Sequence, residues 1–105
     1  MWSVSRSGDA IVAHFSGRLV VSEGQQSVSA FCRELDKGPA TAVFDIREME
    51  GYDGGAREAW QKGLSGQRDK INEIIVVGGS PLIRLGASMI GVFVRIPVRN
   101  VDKYP

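Results

Sequence analysis

Apolar and polar residues alternate in some stretches of the chain and recur at helical spacing in others, and this pattern divides the sequence into elements. Trp2 and Val4 alternate with serines, which predicts an edge strand at residues 2–7 with one buried face. Residues 95–101 predict a last strand, and Pro97 places it at a sheet edge because proline cannot donate a ladder hydrogen bond. Apolar runs predict three further strands, at residues 10–15, 40–46 and 71–77.

Three other stretches have apolar residues at helical spacing. The first helix is expected to use Ser22 as its N-cap and to end at the Gly-Pro pair at residues 38–39, since proline cannot continue a helix. Asp53 is the expected N-cap of the second helix, and Ser80 that of the third, with Pro81 at the first helical position. The predicted buried stripe of the first helix is Val28, Phe31, Cys32 and Leu35. That of the second helix is Ala56, Ala59, Trp60 and Leu64.

The elements follow in the order β-β-α-β-α-β-α-β along 105 residues, a length that fits one compact domain. Strands that alternate with helices predict right-handed βαβ units and a mostly parallel sheet. The first two strands are expected to form a hairpin, which adds one antiparallel strand. The predicted fold class is therefore α/β, a single domain over residues 1–105 with a mostly parallel mixed sheet and about three helices.

Composition narrows the class of function. The 13 Lys and Arg residues nearly balance 12 Asp and Glu residues, so the chain lacks the basic excess of a typical nucleic-acid-binding protein. No window approaches the ~18 consecutive apolar residues of a membrane span, and the N-terminus lacks the pattern of a secretory signal. The only cysteine, Cys32, forms no internal disulfide. We therefore expect a cytoplasmic protein that binds no nucleic acid and has no membrane span.

Catalytic chemistry is not indicated. His14, the only histidine, has no carboxylate or cysteine beside it in sequence, so a structural histidine with a satisfied hydrogen bond is favoured. Cys32 lies on an inward stripe and is expected to be inert, and the two residues supply only half of a four-ligand zinc site. The glycine-rich turn VVGGSPLIRLG lacks the phosphate-binding spacings. An enzyme would need His14, Asp45 and Asp53 in one pocket. We expect no catalytic residue, metal or cofactor.

Three segments carry a family resemblance: GDAIVAHFSGRL, VFDIREMEGYDGGA and IIVVGGSPLIRLGA. They resemble the STAS domain, the SpoIIAA-like fold of anti-sigma-factor antagonists and of the cytoplasmic tails of sulfate transporters. By element order the match covers roughly residues 9–102. Tyr52 and Trp60 are similar to the loop aromatic and helix tryptophan of a divergent branch of small bacterial members. Since the chain ends at VDKYP, the family's C-terminal helix is expected to be absent.

The middle segment aligns without a gap with the family's switch loop. Asp53 falls on the aspartate of the antagonists' DSSG motif, and Gly54, Gly55 and Ala56 fall on its serine, serine and glycine. The second serine is phosphorylated in the antagonists, whereas Gly55 has no hydroxyl, and no Ser or Thr lies between residues 41 and 65. The resemblance therefore implies a regulatory interaction domain that is not switched by phosphorylation at this position.

Docking of a protein partner of unknown identity is the expected function. Between residues 44 and 53, four acidic residues stand against one arginine, so this predicted loop is a candidate for docking a basic surface. A turn capped by Asp53 is the simpler alternative. The face of the second helix expected to point away from the core comprises Arg57, Glu58, Gln61 and Lys62. The complete candidate set is Glu48, Glu50, Tyr52, Asp53, Gly54, Gly55, Arg57, Glu58, Gln61 and Lys62.

The third helix is apolar on almost every side, from Leu82 to Phe93, and such a helix must be covered on more than one face. Neighbouring elements are one cover, and a second copy of the chain, in a homodimer through residues 82–93, is the other. Together with Tyr52 and Trp60, this helix also leaves open a small-ligand or lipid-binding carrier as the alternative function. A chain of 105 residues, however, has little room for a cavity of several hundred Å³.

Overall fold

A computed structural model describes residues 1–104 of the chain. Within them, five strands and three helices follow in the predicted order. The strands are β1 (Trp2–Ser7), β2 (Ala10–Leu19), β3 (Ala40–Tyr52), β4 (Ile71–Val77) and β5 (Val98–Val101). The helices are α1 (Val21–Leu35), α2 (Gly54–Leu64) and α3 (Pro81–Val94), and a 3₁₀ turn at Arg68–Lys70 precedes β4. None of the helices in this part of the chain is long and apolar enough to cross a bilayer.

The order of strands in the sheet follows the order in the chain, β1-β2-β3-β4-β5. β1 is antiparallel to β2, and the other neighbours are parallel. With right-handed crossovers, a sheet that adds each strand on the same side places all its helices on one face. The larger core cluster accordingly joins all three helices to the sheet, whereas the smaller cluster, Val43, Ile75 and Val77, contains strand residues only. The α/β prediction with an antiparallel first strand is confirmed.

Trp60 of α2 lies at the centre of the core. Its ring makes edge-on contacts with Phe15, Phe31 and Phe44, at centroid distances of 5.8, 5.3 and 5.2 Å. Its indole Nε1–H donates to the Oγ of Ser27, 3.0 Å away, so the only polar atom of this side chain is satisfied inside the core. Trp60 therefore ties α1, α2, β2 and β3 together.

Glycines let α1 and α2 approach each other closely. A Cβ on Gly24 would lie 2.7 Å from the Cα of Ala56, and a Cβ on Gly63 would meet the side chain of Val28. Glycine has a low helix propensity, so the sequence pattern alone predicts only that Gly63 weakens the end of α2. In the structure it provides the space in which Val28 packs, so the helix contact explains both glycines.

Strands β2 and β3 run further than the sequence predicts. The apolar runs end at residues 15 and 46, but main-chain pairing continues to Leu19 opposite Tyr52, through two register shifts. The predicted loop after residue 46 is therefore wrong, because these residues are the paired end of β3. Only Asp53 separates β3 from α2.

The beginnings of α1 and α3 differ in how well the sequence predicts them. The N-cap residue of α1 is Val20, without a side-chain hydrogen bond, so the prediction of Ser22 as the cap is wrong. The chain turns directly from β2 into the helix and makes Ser22 a helical residue. Ser80 caps α3 as predicted, since its Oγ accepts the N–H of Ile83 at 3.4 Å, and Pro81 follows.

The last strand is shorter than predicted. Arg95 ends α3 in the left-handed conformation, at φ 61°, and β5 begins only at Val98. Pro97 precedes the strand, and its carbonyl accepts the N–H of Ile74 at 2.8 Å. β5 pairs with β4 alone, which confirms the predicted edge position.

Candidate functional site

Asp53 occupies the N-cap position of α2, but its side chain does not cap the helix. Its Oδ1 accepts hydrogen bonds from Nε and Nη2 of Arg18, at 2.9 and 2.7 Å. The pairing of β2 with the extended end of β3 brings Arg18 to this place, which the sequence alone does not indicate. The predicted side-chain cap is therefore wrong, and the carboxylate instead ties the end of β2 to the start of α2.

The other acidic residues of the predicted docking loop are mostly paired. Asp45 binds Arg47 through two hydrogen bonds, at 2.9 and 2.8 Å, and Glu48 lies 3.2 Å from Nε2 of His14. Only Glu50 of the four carboxylates takes part in no ion pair within residues 1–104. Arginines thus neutralise Asp45 and Asp53 in this segment, and partner binding by the segment stays a prediction.

His14 and Asp45 face each other across the β2–β3 pair. The Nδ1 of His14 lies 3.1 Å from Oδ2 of Asp45, which confirms the predicted hydrogen bond, while the structural role of this histidine stays a prediction. Hydrogen bonding from Arg47, opposed by burial and aided by His14, lowers the pKa of Asp45 to about 2. Both ring nitrogens of His14 face carboxylates, one of Asp45 and one of Glu48. Asp53 pairs elsewhere, and the hypothetical catalytic set is not assembled.

Neither a reactive thiol nor a metal site is indicated. Cys32 donates to the carbonyl of Gly63 at 3.5 Å, and burial raises the pKa of its thiol, which disfavours the reactive thiolate. Within residues 1–104, no three His, Cys, Asp or Glu side chains lie where they could hold a metal ion.

Arg57 is the predicted docking residue whose position differs most from expectation. The sequence places it on the outer face of α2, but it lines a crevice between α2, α3 and the ends of β2 and β3. Its Nε is buried without a hydrogen-bond partner, and its Nη1 lies 3.8 Å from the Sδ of Met89 on α3. Glu58 and Lys62 are exposed as predicted and line the opposite flank of α2, towards α1.

The crevice beside Arg57 is small and apolar. Its volume is about 40 Å³, enough for roughly three water-sized groups and far below the several hundred Å³ of a typical ligand pocket. Trp60 and Tyr52 form part of its lining, and the Tyr52 ring lies directly against Gly86 of α3. The aromatic residues that the sequence singles out are thus brought together, but their cavity does not have the size of a lipid site.

The outer side of α3 carries a row of exposed apolar side chains, which we call the α3 face. Its members lie at helical spacing, and each exposes between 42 and 77% of its surface. They are Leu82, Leu85, Met89, Val92 and Phe93. The opposite side of α3 packs on the sheet through Ile83, Ile90 and Val94. Within residues 1–104, the sheet and α2 therefore cover part of α3 and leave its outer side exposed.

Comparison with protein-family models and with curated proteins gives no match for the sequence. Solved structures do match. An uncharacterised DUF3478-family protein from Shewanella loihica PV-4, described as having a SpoIIAA-like fold, gives a TM-score of 0.72 at 16% identity, over 98% of this chain and 85% of that one. The anti-sigma factor antagonist SpoIIAA in its unphosphorylated form gives 0.71 at 14% identity, over 99% and 90%. The chain has a SpoIIAA-like fold.

The phosphorylated form of the Bacillus cell fate determinant SpoIIAA gives a TM-score of 0.64 at 14% identity, over 98% of this chain and 93% of that one. In the present SpoIIAA-like fold, Gly55 stands where the sequence alignment places the antagonists' switch serine. A Cβ on Gly55 would lie 2.8 Å from the Cγ2 of Val21 on α1, whereas Gly54 faces open space. The position thus lacks a hydroxyl, and a side chain there would have to displace a methyl group of Val21 on α1.

Three features of this SpoIIAA-like fold are not predicted from the sequence. They are the bond of Arg18 to Asp53, the position of Val21 beside Gly55 and the inward position of Arg57. Arg18 and Val21 lie outside the aligned switch loop, and only the tertiary contact of β2 and α1 with α2 brings them to it. The sequence does contain one signal for the inward position of Arg57. A long side chain with an apolar stem can lie along an apolar surface, and Arg57 is next to Ala56, a member of the buried stripe.

Proposed function

We propose that the protein is a non-catalytic interaction domain of SpoIIAA-like fold that docks a regulatory protein partner through the α3 face. The single observation that carries the proposal is the exposure of five large apolar side chains on that helix. The largest apolar patch on a monomer, typically about 300–600 Å², is often a functional surface. The proposal moves the expected docking surface from the β3–α2 segment to α3 and the adjacent edge of α2.

The chemistry of the other candidate positions agrees with a binding role. Both nitrogens of His14 face carboxylates, and Cys32 is held as a thiol. Gly55 has no hydroxyl, so phosphorylation at this position does not regulate the domain. Carriage of a lipid has less support, because the crevice of about 40 Å³ has no room for an acyl chain.

The partner in this proposal is a different protein. In a symmetric homodimer through residues 82–93, α3 would pack on α3. Residues Pro81–Val94 contain no Asp or Glu, so the partner helix would offer nothing to pair with the nearby Arg57. Sedimentation velocity measures the oligomeric state, and we expect a monomer at micromolar concentration. A dimer that Val92→Glu abolishes would show that the α3 face binds a second copy of the chain and not a different protein.

Quantitative affinity capture from the native host tests the proposal. Leu85→Glu and Val92→Glu change exposed residues, so the fold is expected to keep its stability within about 0.5 kcal/mol. Proteins that co-purify with the wild type should be lost from both variants and retained by Gln25→Glu, which adds the same negative charge at an exposed position of α1. Retention of the same proteins by the α3 variants, or capture of none by the wild type, contradicts the proposal.

A further inference from the structure

Arg57 is the only charged residue lining the crevice between α2 and α3, and its guanidinium lacks good partners. The Nε is buried without a hydrogen bond, and the Nη1 reaches only a thioether sulfur, a weak acceptor. Every salt bridge within residues 1–104 joins other groups. An unpaired buried donor destabilises a fold, and an acceptor group of a ligand that pairs with the guanidinium would reduce this cost.

The crevice is continuous with the α3 face. Met89, which contacts Arg57, belongs to that face, and Ala87 and Ile90 of the same helix line the crevice. A volume of about 40 Å³ admits the end of one apolar side chain. The α3 face, the apolar crevice and the guanidinium of Arg57, which pairs with no carboxylate, therefore lie side by side on one surface.

We propose that Arg57 and the crevice recognise an acidic amphipathic segment of the partner, in which a carboxylate stands beside an apolar anchor. The inference rests on the proposed function, since the apolar side of the segment lies along the α3 face. The end of the anchor side chain enters the crevice. The neighbouring Asp or Glu pairs with the guanidinium through charge-assisted hydrogen bonds, the interaction for which the planar fork of arginine is suited.

Two other occupants fit these features less well. A fatty acid also combines a carboxylate with an apolar chain, but it needs a cavity several times larger than the crevice. A second copy of the chain would bring its own α3 face, which has no carboxylate. A segment that inserts one side chain and leaves the rest on the surface matches both the small volume and the unpaired cation.

The probe is a set of synthetic amphipathic helical peptides with a Leu, Met or Phe anchor and, one turn away, Glu, Gln or Lys. Binding is followed by intrinsic tryptophan fluorescence in a Trp2→Phe background, in which Trp60, a residue that lines the crevice, is the only tryptophan. Peptides with Glu should bind about tenfold or more tightly than their Gln counterparts, and Lys peptides more weakly still. Arg57→Met should remove the preference for Glu. Lys62→Met, which removes the same charge from the other flank of α2, should keep it.

Stability separates recognition from a structural role of Arg57. Because Arg57→Met removes an unsatisfied buried donor, its Tm should equal or exceed that of the wild type. If the Tm falls instead, Arg57→Lys takes its place. The lysine variant keeps the positive charge but not the bidentate hydrogen bonding of the guanidinium. It should therefore bind Glu peptides more weakly than the wild type while still preferring them to Gln peptides.

The outcomes distinguish this inference from the proposed function. Equal binding of Glu and Gln peptides that Val92→Glu abolishes overturns the role of Arg57 and leaves docking through the α3 face intact. Binding of no peptide by the wild type also overturns the inference, and affinity capture then decides the proposed function separately. Palmitate retained stoichiometrically in native mass spectrometry would identify a lipid occupant and overturn the inference.

Discussion

Replacement of Gly24 by alanine tests the close contact of α1 and α2 that shapes the core. The new Cβ would lie 2.7 Å from the Cα, 2.9 Å from the Cβ and 3.0 Å from the carbonyl oxygen of Ala56. Two of these atoms belong to the backbone of α2, so the clash is relieved only if one helix moves. Overpacking of this kind costs about 1–3 kcal/mol.

The alanine also has a favourable effect, because it raises helix propensity by about 1 kcal/mol relative to glycine. The net loss of unfolding free energy for Gly24→Ala is therefore about 0–2 kcal/mol, which for a domain of this size lowers the Tm by up to roughly 16 °C. Gly54→Ala is the matched control. Gly54 is also helical, but a Cβ added there would meet no atom within 4 Å, so this variant should be as stable as the wild type or slightly more stable.

Urea denaturation and a thermal melt of the two variants beside the wild type measure the difference. If Gly24→Ala matches or exceeds the stability of Gly54→Ala, α1 and α2 do not meet at Ala56. That result would refute the close packing of the two helices, and with it the position of α2 against the sheet.

Ser27→Ala leaves the indole N–H of Trp60 unpaired in the core and should lower the free energy of unfolding by about 1–3 kcal/mol in urea denaturation; a variant as stable as the wild type contradicts the buried bond. Asp45→Asn should cost about 1–2 kcal/mol at neutral pH, after allowance for the exposure of Arg47, because the folded pKa of Asp45 is about 2. This contribution is present above the unfolded pKa of about 3.9 and is lost as the pH falls towards the folded value, so the two proteins should converge in stability between about pH 4 and pH 2. A stability difference that persists at the acid end would mean that ionisation of Asp45 is not its source. Incubation with an anti-sigma-type serine kinase should leave the loop around Gly55 unmodified in peptide mass spectrometry, and phosphate found there would mean that the alignment is wrong.

The order of elements could be predicted because each apolar run has a period that fits one kind of structure. The ends of β2 and β3 could not be predicted, since residues 47–52 include few apolar residues. They form a strand only because their main chain pairs with the neighbouring strand. The same limit applies to His14 and Asp45. They are 31 positions apart in sequence, and the parallel register alone makes them partners.

The sequence predicts some residues of the candidate site but not the contacts between distant segments. The alignment identifies Gly55 as the residue at the switch position, and the exposed apolar side of α3 follows from a helix that is apolar almost all round. The paired state of Asp53 depends on Arg18, and the crevice depends on how Tyr52 packs against Gly86. Such contacts between distant segments are set by tertiary packing, which the local pattern of residues does not encode.

Site-specific photocrosslinking in the native host tests docking through the α3 face most directly. A benzophenone amino acid in place of Phe93, an exposed aromatic residue of that face, is compared with the same probe in place of exposed Arg33 on α1. We predict a discrete crosslink to a different protein from position 93 and none from position 33. Crosslinks to that protein from position 33 alone, or to a second copy of the chain from position 93, would contradict it.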